Sequence, residues 1–270
     1  KEGLYTLWDI NYREQIDASL LKIGNAIPTA NTLREGDIKI SFGQISPIKA
    51  GYAGGTGNQN YLGLIDYGIT DKITITGFYT HSDDPLHKRI NNLDIQPSNL
   101  WVSYGAELKL KTKLRDKVNI ALQGSIEKWD IKSGGCNLYR CTSKSNNIFN
   151  SSKNEVENSN LIGSLSSPIT WHITNPLEIT LVPKAVFLPD KQGNNDGEGS
   201  FYGNNFGIGL GIAYKPLPKL KSFSSVYIPI AGENSFDQNL NFKKVGIYTT
   251  GIRYSLDPRI TFESYISNGF

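Results

Sequence analysis

Three histidines, two cysteines and a scatter of carboxylates are the side chains of this 270-residue chain from which catalysis or metal binding could be built. His81 is followed directly by Ser82, Asp83 and Asp84, so one stretch carries a base, a nucleophile and an acid, the ingredients of a hydrolase. A triad needs those groups to converge in space, and adjacency in a loop is not triad geometry. His87 lies further along the same polar segment, while His172 sits beside a short turn at the opposite end of the elements described below. The three cannot share a site, so no enzyme and no catalytic residue is expected.

The remaining motifs also lose their chemistry in context. Asp190 to Glu198 (DKQGNNDGE) offers closely spaced oxygen ligands but lacks the Asp-x-Asp-x-Asp-Gly order of a calcium loop, and it reads as a polar outer loop. Gly207, Gly209 and Gly211 sit inside an alternating apolar segment rather than between a strand and a helix, which dismisses a dinucleotide site. They leave room for a neighbouring side chain or a plug. Cys136 and Cys141 stand in a polar stretch, GGCNLYRCTSKSNN, where they close a small disulfide loop, remain free thiols or help bind a metal. The disulfide is the reading preferred, because a metal needs more ligands nearby and a redox pair is usually spaced Cys-x-x-Cys. No cofactor and no metal is expected. Lys and Arg number 28 against 25 Asp and Glu, too even a balance for a nucleic-acid footprint.

The elements that hold these residues show one dominant signal from about residue 37 onward, an alternation of period two. In Leu100 to Thr112, Leu100, Val102, Tyr104, Ala106, Leu108 and Leu110 face one way and Ser103, Gly105, Glu107, Lys109 and Lys111 the other. Val118, Ile120, Leu122 and Ile126 oppose Asn119, Gln123, Ser125 and Glu127 in the same manner. Phe206, Ile208, Leu210, Ile212 and Tyr214 alternate with residues that carry almost no side chain. Leu161 to Thr170 and Leu220 to Ile230 have Ser, Pro or large apolar groups on both faces, so their facing is ambiguous.

Short connections near Asp71, Arg115, Asn175, Leu217 and Asp257 alternate with long polar loops at roughly 47–59, 82–98, 130–159, 189–203 and 231–242. Long alternating strands, tight at one end and loosely joined at the other, predict an antiparallel transmembrane β-barrel with short periplasmic turns and long outer loops. A closed sheet is also what pairs every backbone group inside lipid. Hairpin counting gives about twelve strands, with ten or fourteen as alternatives, including an opening strand over Gly3 to Asn11. The chain is read as a single barrel domain, 1–270. Within it, residues 12–36 have no alternation; they form a periplasmic connector or a plug, with a short helix over Glu14 to Ile23.

No apolar run reaches the roughly 18 residues of a transmembrane helix. The hydrophobic share is 38%, which suits a barrel whose apolar residues occupy every second position on the outside. The opening Lys1-Glu2-Gly3 fits a mature chain freed of an export signal or an arbitrary start.

Asn25 to Gly43, NAIPTANTLREGDIKISFG, resembles the opening-strand pattern of outer-membrane β-barrel families of Gram-negative bacteria: Pro-Thr-Ala followed by two glycines with six residues between them. FYGNNFGIGLGIAYKPLPKL, NSFDQNLNF and LDPRITFESYISNGF resemble porin-like barrel proteins of cyanobacteria, and Phe270 is similar to the terminal aromatic by which such barrels are recognised for insertion. These pieces cover about a third of the chain. The resemblance implies an outer-membrane location and a pore or export-associated role.

The charges on the polar faces are Lys39, Asp66, Glu107, Lys109, Lys111, Glu127, Glu178, Lys184, Arg253 and Glu263. In a barrel they face the lumen, where they line water or pair across strands. The leading expectation is a porin-like channel that passes small hydrophilic solutes passively. The alternative is a non-conducting barrel acting as membrane anchor, adhesion surface or subunit of an envelope or export assembly, recognised through loop 130–159. Partners are then the outer-membrane bilayer, the solutes, and a further copy of the chain or another envelope protein; nucleic acid is excluded.

Overall fold

The period-two segments are extended and pair edge to edge in the computed structural model of the chain. It describes residues 21–23, 27–45, 60–83, 100–132, 136–137, 140–141, 157–189, 202–236, 241–257 and 260–268. A two-residue ladder first joins β1 (Lys22–Ile23) to β2 (Ile27–Pro28). There follow β3 (Ile38–Ile45), β4 (Asn60–Thr70), β5 (Ile73–Asp83), β6 (Leu100–Arg115) and β7 (Val118–Lys132). After β7, the short β8 (Cys136–Asn137) pairs with β9 (Arg140–Cys141). Next come β10 (Glu157–Ser166), β11 (Ile169–Thr174), β12 (Leu177–Phe187), β13 (Asn205–Leu217) and β14 (Leu220–Ala231). The short pair β15 (Ser235–Phe236) and β16 (Phe242–Lys243) precedes β17 (Ile247–Asp257) and β18 (Ile260–Ser267).

Twelve of these segments form one antiparallel sheet, in the order β18-β17-β14-β13-β12-β10-β7-β6-β5-β4-β3, with β11 pairing both β12 and β7. The chain is therefore all-β, with neighbours in sequence lying side by side. β10 and β11 hold one register on both flanks: Ser166 lies opposite Gln123 and Lys184, and Ile169 opposite Ile120 and Leu181. They are one strand interrupted at Ser167-Pro168, because proline has no N–H to give to a ladder. Two hydrogen bonds carry the sheet across the gap, from Ser167 N to Pro183 O at 3.1 Å and from Ala121 N to Pro168 O at 2.9 Å.

Two-residue turns at Asp71-Lys72, Asp116-Lys117, Asn175-Pro176 and Pro218-Lys219 close one end of the sheet. The strand ends that the long connections join lie at the other end. The strand expected over Gly3 to Asn11 falls outside the described residues, as does most of the helix drawn over Glu14 to Ile23. Its last residues are not helical: Lys22 and Ile23 are extended and pair with Pro28 and Ile27. The reason is tertiary, since Ile23 is packed between strands far away in the chain.

Each strand shows one face outward. Ile40 and Phe42 are 75% and 77% exposed, and Leu108, Ile126, Leu165, Leu181, Leu210, Ile228 and Ile252 continue the outward apolar surface strand by strand. Its aromatic members fall into two rings. Tyr61, Tyr79, Tyr104, Phe187, Phe206 and Tyr248 stand toward the long loops, and Tyr67, Trp171, Tyr214, Tyr254 and Phe262 toward the short turns. On β6 the outward run from Tyr104 to Leu114 spans about 33 Å of strand, which at barrel tilt is a band about 25 Å tall. Charge marks both limits: Lys128, beside Tyr104 and Asp130, at the loop end, and the exposed Lys113–Asp116 pair at the turn end. The Lys113 hydrogen bond holds the Asp116 carboxyl below the usual carboxylate range.

The sheet curls around residues 21–23 and 27–34. This short stretch meets β5 through Leu33 and Thr74, β6 through Lys22 and Glu107, and β11 through Ala30 and Thr170. It also meets β12, β13 and β14 through a cluster of Ile23, Ile27, Val182, Ala213 and Phe223, against which Tyr265 of β18 packs. No flat sheet could touch one short segment from so many strands. Among the described residues no ladder joins β3 to β18, yet Lys39 on β3 lies within electrostatic reach of Arg253 and Glu263 on the last two strands.

Candidate functional site

The interior can be built row by row from the registers. Across the sheet, Asp66, Thr76, Glu107, Ser125 and Ser164 are successive partners on β4, β5, β6, β7 and β10. All point inward, since their neighbours along each strand carry the outward apolar groups. The adjacent row runs Thr74, Lys109, Gln123, Ser166, Lys184 and Gly207. One wall is thus lined with hydroxyl, amide and charge. The facing wall, on β12 to β14, presents Val182, Gly209, Gly211, Ala213 and Phe223.

Residues 21–23 and 27–34 fit between these two walls. Ile23 and Ile27, each 1% exposed, fill the apolar side. The glycines of the GxGxG run are what admit them: a Cβ on Gly211 would come 2.5 Å from Ile23 Cδ1, and one on Gly209 would come 2.9 Å from Ile27 Cδ1. On the polar side Lys22 Nζ donates to Glu107 Oε2 at 3.1 Å, and Lys109 Nζ donates to the carbonyls of Leu21 and Asn31 at 3.0 and 3.3 Å. Ala30 N donates to Thr170 Oγ1 and Leu33 N to Thr74 Oγ1, both at 2.9 Å, and Thr32 Oγ1 donates to Asp71 O at 2.7 Å. The described part of the stretch lies across the turn end of the interior as a floor, with the Ala30 and Leu33 amides and the Leu21 and Asn31 carbonyls satisfied by inward side chains, as burial requires.

The ten charged residues singled out from the sequence, Lys39, Asp66, Glu107, Lys109, Lys111, Glu127, Glu178, Lys184, Arg253 and Glu263, all stand on the inner face. Many are engaged with one another. Arg253 Nε donates to Glu263 at 2.9 Å, Lys39 lies 4.0 Å from Asp66, and Asp66 accepts the Thr76 hydroxyl at 2.6 Å. Glu178 is shared between Lys221 at 3.7 Å and His172 at 3.6 Å. Glu127 accepts the Ser103 hydroxyl at 3.1 Å.

Sequence reasoning passed over Lys22 and Lys221 as partners in this network, and Ile23, Ile27 and Phe223 as floor contacts. Two signals for them were present: the bare inward face of β13, and the large inward group at Phe223 in a segment whose facing was ambiguous.

The groups considered for catalysis are separated. His81 stands on the outer face, where its ring lies 6.3 Å from that of Tyr61, whereas His172 is on the inner face beside Glu178 and Asn119. His87 and the Asp190–Glu198 loop lie outside the described residues. Among the described residues no three His, Cys, Asp or Glu side chains gather as a metal site. Cys136 and Cys141 are Cα partners in the β8–β9 ladder. At the loop end of the interior, Ile162 and Leu188 pack with Trp129, Val186, Tyr202 and Phe242. The rings of Tyr202 and Phe242 meet edge to face at 5.3 Å, and burial pushes the Tyr202 phenol up.

No family model and no curated protein matches the chain. Three solved structures to which it has a distant likeness are the CymD monoaromatic hydrocarbon channel, the Pseudomonas putida toluene transporter TodX and the Ralstonia pickettii toluene transporter TbuX. For CymD the identity is 11% and the TM-score 0.43, over 87% of this chain and 75% of that one. TodX gives 12% and 0.42 over 86% and 72%, and TbuX 12% and 0.40 over 88% and 74%. The cyanobacterial resemblance of the C-terminal segments has no counterpart among these three.

Proposed function

We propose that the chain is an outer-membrane β-barrel channel for small hydrophilic solutes whose resting state is closed by its own residues 21–23 and 27–34. The observation that carries this reading is the inside-out distribution of side chains. An apolar band between two aromatic rings faces outward, and charge, hydroxyl and amide groups face inward. That is the arrangement lipid imposes on a strand-built membrane protein. The hydrophilic solute class follows from the polar wall of β4 to β7 and β10, which can exchange hydrogen bonds with a solute that has left bulk water. No residue is assigned a catalytic role.

The closed state follows from the floor. Its polar contacts to Glu107, Lys109, Thr74 and Thr170 can each be replaced by water, so displacement of the segment is an exchange of hydrogen bonds plus the loss of two buried isoleucines. Planar-bilayer recording tests the reading: rare openings from the intact chain, and frequent ones once the floor is loosened. Permeation by toluene but not by sugars or amino acids would overturn the solute class. Absence of conductance from both forms, with β-sheet circular dichroism intact, would overturn the channel. The filled interior favours one second reading in that case, a non-conducting barrel that anchors or recognises a partner.

A further inference from the structure

The two end strands of the sheet run the same way. Twelve segments form it, and β10 with β11 is one interrupted strand, so the sheet makes eleven passes, each antiparallel to the next. An odd number of passes leaves β3 and β18 both running from the turn end to the loop end. They cannot ladder to each other as every other neighbouring pair does, and they do not run side by side. Among the described residues β3 is laddered to β4 alone and β18 to β17 alone. Ile38, Ile40 and Phe42 are 65%, 75% and 77% exposed, against 37%, 49% and 44% for Ile208, Leu210 and Ile212 on β13, which has a neighbour on each side. On β18, Glu263 is exposed although its side chain is only 22% exposed, so what lies open there is backbone. Hydrocarbon offers nothing to an open row of N–H and C=O groups, and one strand running from loop end to turn end satisfies both edges at once.

The stretch before Leu21 is placed to make such a descending pass. It arrives at the turn end, where the floor begins, and the floor leads on through Gly36, bonded to Gly68, into β3. The long connections between strands leave and return at the loop end, so passes taken from them come in pairs. We propose that the seam between β3 and β18 is a docking groove for residues 3–11 of the same chain, a segment outside the described residues, which fills it as one further strand antiparallel to both edges. Period two runs through this segment: Leu4, Thr6, Trp8 and Ile10 alternate with Tyr5, Leu7, Asp9 and Asn11. The added pass brings the barrel to the even strand number usual for single chains.

Charge selects the register. Asp9 is the one Asp, Glu, Lys or Arg in residues 3–11. The charges facing Lys39 and Lys109 on the inner wall are Lys22, Arg253, Asp66, Glu107 and Glu263, so with those two lysines four cations stand against three carboxylates. Further along the wall Lys184 stands with Glu127, and Lys221 and Lys215 with Glu178, so the excess stays positive. An inward carboxylate beside Lys39, whose contact to Asp66 is 4.0 Å long, meets that excess. With Asp9 opposite Lys39 on the inner face, Leu7 falls opposite Ser41 and Tyr5 opposite Gly43, which has no side chain to crowd it. On the outer face the same register sets Ile10, Trp8 and Thr6 opposite Ile38, Ile40 and Phe42, extending the apolar band over the most exposed edge. The inference deepens the channel proposed above by closing its wall, and rests on the barrel rather than on the solute class.

Disulfide trapping of the full chain in lipid vesicles tests the seam. In a Cys136→Ser, Cys141→Ser background, Leu7→Cys with Ser41→Cys should oxidise to a bridge within one chain at least about 10-fold faster than Thr6→Cys with Ser41→Cys, whose thiols lie on opposite faces. Of Thr261→Cys, Glu263→Cys, Tyr265→Cys and Ser267→Cys, each combined with Leu7→Cys, one should bridge as fast as the β3 pair. Equal rates for the Leu7 and Thr6 pairs, bridges between chains rather than within one, or a direct bridge from Ser41→Cys to Glu263→Cys overturns the assignment. The second outcome makes the occupant a strand of another copy, and the third a parallel closure without any occupant. If the paired variants do not fold into vesicles, hydrogen exchange of the unmodified chain decides: residues 3–11, 38–45 and 260–267 should be as protected as β13, and exchange of residues 3–11 at the rate of an unstructured peptide overturns the seam. An unmodified chain that does not enter vesicles overturns the barrel itself, and conductance, which this test never reads, bears on the channel alone.

Discussion

Replacing both Ile23 and Ile27 by alanine tests the floor where its hold is strongest. The two residues are partners in the β1–β2 ladder, each 1% exposed, and they pack against Val182, Ala213 and Phe223. Each substitution removes three buried carbons, a transfer loss of about 2.4 kcal/mol. A residual cavity adds to this wherever the wall cannot collapse, and the sheet's hydrogen bonds hold Gly209 and Gly211 in place. The two sites share neighbours, so their effects are not fully additive. A combined loss of about 3–5 kcal/mol raises the ratio of displaced to seated floor by a factor of about 100 to 4,000. In single-channel recordings the open-to-closed ratio should rise at least about a hundredfold, while Ile228→Ala, on the outward face of β14, leaves it unchanged. If the double variant keeps its β-sheet spectrum and its open-to-closed ratio stays within about threefold of the parent, residues 21–34 do not gate the interior.

Three further outcomes probe the arrangement from other sides. Leu210→Lys places a charge in the middle of the outward band and should cost about 2–4 kcal/mol of stability in bilayers; urea unfolding of lipid-reconstituted protein reads it, and a cost near zero would refute the lipid-facing assignment of β13. Lys109→Met leaves the carbonyls of Leu21 and Asn31 without their ammonium donor, so the Ala30 amide, which donates to Thr170, should exchange its hydrogen about 10-fold faster or more; unchanged exchange would mean that Lys109 does not retain the floor. Directly opposed residues of an antiparallel pair have Cα atoms about 4.5–5.5 Å apart, within disulfide range, so the denatured, unreduced chain should show no reactive thiol at Cys136 or Cys141, and two reactive thiols would exclude the bridge.

The architecture was legible in the strands that have a clean alternation. In β6, β7 and β13 every second residue is apolar because one face meets lipid and the other does not, and the facing follows from the sequence alone. It failed in β10 and β14 for one shared cause. Ile162 and Phe223 are large, apolar and inward, which breaks the rule that the inner face is polar. Phe223 is inward because Ile23 and Ile27 rest on it, and Ile162 because it joins Leu188 and Trp129 at the loop end. The seat of residues 21–23 and 27–34 was illegible because the partners that hold it to the wall are remote in sequence: Glu107 for Lys22, Thr170 for Ala30, Thr74 for Leu33. A local pattern cannot encode a contact across 140 residues. The bare glycine face of β13 recorded that something else must fill the space, without recording what.

The enclosed position of residues 21–23 and 27–34 also sets an order of events during assembly. They precede every described strand of the main sheet in the chain, yet end up surrounded by those strands. Consecutive strands pair with their sequence neighbours, so the hairpins form early and locally. The contacts that join this early segment to strands far along the chain, such as Tyr265 of β18 against the Ile23–Ile27 cluster, have a large loop-closure cost and form late. A barrel that closed before its floor was seated would leave Phe223 and the glycine face lining an empty interior. It would then have to reopen a long ladder to admit the missing segment. Seating the N-terminal stretch while the sheet is still open avoids that trap, and makes the floor a template on which the wall is completed.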